Sequence, residues 1–365
     1  MSKLPSKIGW KTAAAIVISN MIGTGIFTTL GFQVADLHNT FTILLLWIIG
    51  GVLALFGAFC YAELGTFFKG NGGDYIYLSR TFHPIFGYLS SWVSLVIGFS
   101  APVALAALAM SKYLAAFGYN FGNYFSIVVI LAVAFALSFS VSVSGKFHNF
   151  FTLIKILFII ILIAVGIYLP ENPKFSSLNF DLSWKTEILL PTFASSLIFV
   201  GYSYTGWNSA SYISGEIENP NKNLPKALII GTLFVTICYV FINFIMLKNA
   251  PISLLQGKED VMGIAAKFML GKTGKIINFF IALQLVATIS GYLWVGSRIT
   301  QATAVENKLW SPLAKTNKNH VPVRSIFTHA TIAILIILTG SFREIFTYTS
   351  FVLQVLATVA ISTAF

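Results

Sequence analysis

The chain has 365 residues, of which 56% are hydrophobic and 10% are charged, and its mean hydropathy is +0.82. Since about a quarter of the residues in a typical soluble domain are charged, this composition excludes a soluble protein. The net charge of +11 is scattered over the hydrophilic stretches, which does not favour a nucleic-acid-binding protein.

Ten apolar segments are long enough to cross a membrane, because a hydrocarbon core of ~30 Å requires roughly 20 apolar residues in a helix. The stretches between them are mostly short. We therefore expect an all-α polytopic membrane protein with a single transmembrane domain over residues 1–365. The predicted segments are Trp10–Leu30, Phe41–Phe68, Pro84–Phe117, Asn123–Val143, Phe147–Leu169, Ile188–Ser214, Pro225–Leu247, Ile276–Val305, Val321–Thr339 and Ile345–Phe365.

The distribution of basic residues predicts the orientation of these segments. Lys3, Lys7 and Lys11 precede the first one, which puts the N-terminus in the cytoplasm by the positive-inside rule. The stretch 248–275 should then be external, yet it contains five lysines. Because the rule weakens for long loops, we keep this topology and expect the plasma (inner) membrane. The other loops predicted to be cytoplasmic carry Lys69, Arg80, Lys146, Lys222, Lys226, Lys308, Lys315, Lys318 and Arg324.

The first and the sixth segments both contain glycines and polar residues near their middle. The first includes NMIGTGIF, residues 20–27, with Gly23 and Gly25 on either side of Thr24. The sixth includes FASSLIFVGYSYTGW, residues 193–207, with Gly201 and Gly206 enclosing four polar residues. Gly206 lies ten residues before the next charged residue, a distance of ~15 Å along a helix. This distance is half of a ~30 Å hydrocarbon core. We predict that both helices are broken near the membrane midplane.

An odd number of spans separates the two breaks, so the second set of five segments enters the membrane from the opposite face. This pattern predicts two inverted repeats, about residues 10–169 and 188–365, with a transporter binding site where the broken helices meet. The alternative explanation of the glycines is close helix packing, since small residues are common in membrane helices.

The backbone freed by such breaks suits a zwitterion. The N–H groups of Thr24, Gly25 and Ile26 would lie at the positive end of a half-helix and bind a carboxylate, which glycine allows to approach closely. Carbonyl groups at the ends of the preceding half-helices would bind an ammonium group. Uncharged side chains would then surround a neutral side chain, with Tyr202 as a lid and Tyr204 either in the site or in packing. The candidate substrate-binding residues are Met21, Ile22, Gly23, Thr24, Gly25, Ile26, Tyr202, Ser203, Thr205, Gly206 and Trp207.

Lys155 lies within an otherwise apolar segment, eight residues or ~12 Å of helix after Phe147. An ionised lysine near mid-bilayer costs about 2.5–3.5 kcal/mol on insertion scales and indicates a functional site. It could replace a bound Na⁺ or carry a proton, and the alternative is that it snorkels to the headgroups. The five histidines are dispersed, and no hydrolase or nucleotide-binding motif is present, so we expect neither an enzyme, nor a metal site, nor a cofactor.

Several stretches resemble the amino acid–polyamine–organocation (APC) superfamily, and in particular its L-type amino acid transporter (LAT) branch. MIGTGIF is similar to the first-helix signature of the superfamily. GAFCYAELGT and NGGDYIYLSRTF resemble the second helix of the branch and its loop. FTLIKILFI resembles the fifth helix of the branch, including its lysine. YSYTGWNSASYISGEIENPNKNLPKAL resembles the sixth helix. SGYLWVGSR extends the resemblance more weakly into the eighth helix.

The resemblance implies a leucine-transporter-type fold, with a 5+5 inverted repeat, broken helices 1 and 6, and alternating access. The substrate carboxylate would meet the backbone at Thr24 and Gly25. The ammonium group would meet carbonyls at Met21 and near Tyr202 and Thr205.

Lys155 matches the lysine that occupies the sodium-site region in sodium-independent members, which are exchangers or proton-coupled symporters. Members usually have twelve helices, whereas this chain ends at Phe365 within its tenth segment. We therefore expect a C-terminally truncated chain, or one in which the last two helices are absent. Animal relatives join a glycoprotein through a cysteine in an external loop. Cys60 and Cys238 lie in apolar segments instead, so no disulfide-linked partner subunit is expected.

The leading hypothesis is a sodium-independent transporter of neutral α-amino acids that works by exchange or proton symport. One alternative is a polyamine or other organocation permease, which would require acidic residues at the breaks. The other is a sensor that binds an amino acid without transporting it.

Overall fold

The computed structural model describes residues 8–68, 72–118, 122–139, 141–170 and 178–365, with side chains throughout except at 141–149 and 151. Lys3, Lys7 and Lys69, three of the basic residues that predict the orientation, lie outside the described residues, as does the side chain of Lys146.

The described chain is helical almost throughout, with one isolated β-bridge between Ile8 and Ile217. The α-helices are α1 (Trp10–Met21), α2 (Gly25–Gln33), α3 (Thr40–Phe67), α4 (Asp74–Thr81), α5 (Pro84–Val93), α6 (Ala101–Ala115), α7 (Gly122–Leu137), α8 (Val141–Tyr168), α9 (Trp184–Glu187), α10 (Pro191–Ser203), α11 (Pro220–Asn249), α12 (Ile252–Leu255), α13 (Val261–Leu270), α14 (Lys275–Glu306), α15 (Val323–Thr339) and α16 (Phe342–Ile361). A π-helix, Ser94–Ser100, joins α5 to α6, and 3₁₀-helices cover Ser209–Glu216, Gly271–Gly274, Lys308–Ala314 and Ser362–Ala364.

Each of the ten predicted segments coincides with a helix or a helix pair. The boundary between the fourth and fifth segments was predicted too late, because α7 ends at Leu137 and α8 begins at Val141. Serine alternates with apolar residues over 138–144, so hydropathy alone does not separate the two helices there. The loops also contain α4, α9, α12 and α13, which are too short for a hydropathy criterion to detect as spans.

Among the described residues, six helical stretches are long and apolar enough to cross a membrane, by length and composition alone. They are Trp10–Gln33, Thr40–Phe67, Pro84–Ala115, Pro220–Asn249, Val261–Glu306 and Phe342–Ala364, and shorter apolar helices cover Gly122–Leu137, Thr152–Tyr168 and Val323–Thr339. The chain is therefore an all-helical, multi-span membrane protein. The most extensive helix contacts join α3 to α11, α14 to α6, and α1 to α11.

Two apolar stretches are interrupted at the predicted places. Helix α1 ends at Met21 and α2 begins at Gly25, so three residues leave the helical path. Helix α10 ends at Ser203, and the next helical segment begins only at Ser209. The prediction that Gly201 borders this second break is wrong, because Gly201 lies inside α10. Of these two glycines, Gly206 alone adopts a positive φ, of +105°, which favours glycine.

Candidate functional site

The two breaks contact each other backbone to backbone. A Cβ placed on Gly25 would lie 2.6 Å from the Cα of Ser203, and one placed on Gly206 would lie 2.8 Å from the carbonyl carbon of Asn20. Both glycines are therefore required for α1–α2 to approach α10 and the residues that follow it. This packing accounts for Gly25, which the sequence alone assigns to the approach of a carboxylate.

The N–H groups at the start of α2 remain free, as predicted. Within the described part of the chain, those of Thr24, Gly25 and Ile26 donate to no other protein group, while the N–H of Phe27 donates to the Thr24 carbonyl at 3.0 Å. The first N–H groups of a helix have no partner within the helix and lie at its positive end. The start of α2 thus offers donors to an anion.

The carbonyl groups at the end of α1 are largely engaged by side chains. The Tyr239 hydroxyl donates to the Met21 carbonyl at 2.5 Å and lies 3.0 Å from the Ser203 carbonyl, so it joins the two broken helices. The Tyr292 hydroxyl donates to the Asn20 carbonyl at 3.3 Å. Each carbonyl oxygen has two lone pairs and so keeps one acceptor site for an ammonium group.

Lys155 of α8 binds the first break directly. Its ammonium group donates to the carbonyls of Ser19 at 3.0 Å and Ile22 at 2.7 Å, and to Thr288 Oγ1 of α14 at 3.1 Å. The Thr288 hydroxyl donates in turn to the Gln284 carbonyl at 3.2 Å, so it accepts from the lysine. Lys155 is fully buried, which excludes snorkelling.

A small pocket lies between the breaks and has a volume of about 10 Å³. This volume is too small for an amino acid, so the pocket must widen to admit one. Thr205 and Tyr292 also line a much larger cavity of about 570 Å³, which extends between α3, the π-helix, α14 and α16. The pocket is lined by Met21, Gly23, Thr24, Gly25, Pro102, Tyr202, Ser203, Thr205, Thr288 and Tyr292.

Aromatic side chains of α2, α10 and α16 pack together next to the pocket. Tyr202 meets Phe346 of α16 edge to face, with ring centroids 4.6 Å apart, and Phe346 stacks on Phe199 at 5.5 Å. Phe32 of α2 lies within 6.0 Å of both Phe199 and Phe346. Phe342 stacks on Phe346 with ring centroids 5.8 Å apart. We call Phe32, Phe199, Tyr202, Phe342 and Phe346 the aromatic cluster, of which Tyr202 lines the small pocket.

The structure brings most of the candidate residues to the pocket. Seven line it, namely Met21, Gly23, Thr24, Gly25, Tyr202, Ser203 and Thr205. Gly206 and Trp207 line the large cavity instead, and the Ile22 carbonyl binds Lys155. Ile26 is fully buried, and Tyr204 donates its hydroxyl to the Trp47 carbonyl at 2.8 Å, as a packing residue would.

Sequence reasoning missed Pro102, Thr288 and Tyr292. Tyr292 lies in SGYLWVGSR, the stretch that resembles the family only weakly. This weak resemblance is the one sequence feature that could have indicated Tyr292 as a site residue. Thr288 and Pro102 lie in helical stretches whose composition gives no sign of a break.

Comparison with known proteins identifies the family of the chain. The family model described as amino acid permease matches residues 8–365. The chain belongs to the amino acid permease family. The predicted membership of the APC superfamily is confirmed, and the permease is a transporter and not an enzyme, as predicted.

Curated relatives cover almost the whole permease. It is 30% identical over 364 residues to the mouse b(0,+)-type amino acid transporter 1, a match that covers 96% of this chain and 73% of the relative. The human protein of that name is 29% identical over 361 residues, with the same coverage. The human large neutral amino acids transporter small subunit 2 is 28% identical over 365 residues, which cover 96% of this chain and 67% of the relative. These relatives confirm the predicted resemblance to the LAT branch.

The two glycines of the first break should respond differently to substitution. We expect Gly25→Ala to destabilise the permease by about 1–3 kcal/mol, because its Cβ would overlap the Ser203 backbone. Gly23→Ala should fold normally, since its Cβ would lie at ordinary contact distance, 3.6 Å from Thr288 Cγ2 and 4.0 Å from the Met21 carbonyl oxygen, but should raise KM about tenfold by narrowing the pocket. Thermal unfolding in detergent and uptake kinetics measure the two effects. Equal melting temperatures for Gly25→Ala and the wild type would contradict the packing argument.

Lys155→Ala should lower the turnover rate at least tenfold, because the Ser19 and Ile22 carbonyls lose their buried donor. The protein should still insert in the membrane. Lys248→Ala is a matched control, since Lys248 also donates to three carbonyls, those of Gly166, Ile167 and Leu169, but away from the breaks. Uptake by reconstituted protein measures the difference. A Lys155→Ala variant as active as Lys248→Ala would show that Lys155 has no part in transport.

Proposed function

We propose that this permease is a sodium-independent transporter of neutral α-amino acids, working by exchange or by proton symport. The observation that carries the proposal is the set of free N–H groups at Thr24, Gly25 and Ile26, beside carbonyls that keep an acceptor site. These donors and acceptors complement the carboxylate and ammonium groups that all α-amino acids share. None of the described residues that line the small pocket is acidic, which disfavours a polyamine.

The proposed independence from sodium follows from Lys155. Its ammonium group contacts three oxygen atoms at 2.7–3.1 Å between the first break and α14. A cation already occupies this group of oxygens, so a second cation is not needed there. Either exchange or proton coupling is compatible with a permanent lysine at this place.

We further propose a single transport domain built from two inverted five-helix repeats, about residues 10–169 and 188–365. The two breaks are supporting observations, since one follows α1 and the other follows α10. In this scheme the N-terminus is cytoplasmic in the plasma (inner) membrane, the aromatic cluster closes the external side, and the large cavity faces the cytoplasm. Cys60 and Cys238 belong to the long apolar helices α3 and α11, so we propose no disulfide-linked partner subunit.

Uptake of a radiolabelled amino acid panel into proteoliposomes tests the function. We expect accumulation of neutral amino acids that is unchanged when choline replaces sodium. Acceleration by internal amino acid alone would identify exchange, whereas acceleration by an inward proton gradient alone would identify symport. Binding without flux would indicate a sensor, and the absence of both would contradict the proposal.

Substitution of Tyr202 tests its role as a lid. Tyr202 lines the small pocket and contacts Phe346, so Tyr202→Leu should change the order in which unlabelled amino acids compete with a labelled substrate. Phe199→Leu is the control, because Phe199 belongs to the same aromatic cluster but does not line the pocket. An unchanged competition profile for Tyr202→Leu would assign Tyr202 to packing alone.

A further inference from the structure

The side chain of Gln354 packs against the backbone of α10 at Gly201, which has no side chain. It projects from α16, and a Cβ placed on Gly201 would lie 2.3 Å from its Nε2 and 2.7 Å from its Cδ. The glycine at 201, which does not belong to the break, is therefore explained by the position of this amide. Any larger residue at 201 would push Gln354 away from α10.

The Gln354 amide faces the large cavity. In the described part of the chain its side chain has no hydrogen-bonding partner, although an amide offers two donors and an acceptor. The other polar residue of α16 in this wall, Thr358, already donates its hydroxyl to the Gln354 backbone carbonyl at 2.8 Å. The rest of the α16 wall is apolar and consists of Leu353, Leu356, Ala357 and Ile361.

Gln354 is only partly buried, so its amide is accessible to a molecule in the large cavity. Because no described protein group binds the amide, its two donors and its acceptor remain available there. The amide is therefore placed to bind a polar group of a molecule in this cavity.

Thr205 and Gly201 link the small pocket to the Gln354 amide. Thr205 lines both the small pocket and the large cavity, and its hydroxyl lies 3.5 Å from the Gly201 carbonyl, one helical turn earlier. Gln354 packs against that same Gly201. A substrate held by the backbone at Thr24 and Gly25 would extend its side chain past Thr205 and towards Gln354.

The facing wall is a π-helix. Gly98 of this π-helix approaches Leu353 of α16, because a Cβ placed on it would lie 4.0 Å from Leu353 Cδ2. Ser94 and Phe99 line the cavity from the same segment. Such π-helical turns are frequent at functional sites.

We propose that Gln354 is a specificity-determining residue, whose amide hydrogen-bonds an uncharged polar side chain of the transported amino acid. The inference rests on the proposed function and refines its substrate class to neutral amino acids with an amide group at the end of an extended side chain, such as glutamine. The neutral amide can donate and accept, so it matches this group and gives no advantage to a charged one.

Competition assays with the Gln354→Met variant test this role. Methionine keeps the length of the side chain but removes its amide, and a hydrogen bond between uncharged groups corresponds to about threefold to tenfold in affinity. The ratio of the inhibition constants of glutamine and methionine should therefore rise about threefold to tenfold relative to the wild type. Thr358→Val, on the same wall, should leave the ratio unchanged because its hydroxyl is bound to the backbone.

A Gln354→Glu variant provides a second test that does not depend on the folding of Gln354→Met. The new carboxylate should make lysine a better competitor relative to methionine by at least about threefold. An unchanged ratio in a variant that still transports, or a wild type that glutamine does not inhibit, would overturn the inference and leave the proposed function intact. A wild type that neither binds nor transports any amino acid would overturn both.

Discussion

The close contact between the two broken helices is the constraint on which the rest of the site depends. Gly25 lies against Ser203 and Gly206 against Asn20, so each break supplies the surface on which the other is packed. Backbone that leaves a helix inside a membrane is tolerated only where protein or a water-filled cavity surrounds it. Here each break shields the other, while the donors at the start of α2 and the second lone pairs of the carbonyls at the end of α1 remain available.

The freed carbonyl groups of the first break require donors, and three helices supply them. Lys155 comes from α8, Tyr239 from α11 and Tyr292 from α14, and all three side chains are buried. A change in the shape of the break must alter these hydrogen bonds together. Lys155 and Tyr239 therefore connect the first break to helices α8 and α11.

The breaks were predictable because glycine next to polar residues is unusual in an apolar span, and both predicted breaks are present. Hydropathy could not locate α4 or α13, which are too short to span a membrane. The glycine pattern also assigned Gly201 to the second break, whereas Gly201 lies inside α10, where Gln354 packs against it. Side chains from distant helices, such as Thr288 and Tyr292, carry no local pattern that reveals which backbone they will meet. The part of the site made by a continuous stretch of chain was predictable, and the part made by tertiary contact was not.

The two kinds of contact at this site have different consequences for selectivity. Backbone groups at the breaks can recognise only the carboxylate and ammonium groups, which are common to all substrates of this class. In the proposed function, discrimination would then come from side chains along the large cavity, where Thr205 and Gln354 lie among apolar residues and further polar ones such as Asp74 and Asn208. Substitutions on α16 leave the glycine contacts between the breaks untouched. On this proposal the transported side chain could change without a change in the backbone at the breaks.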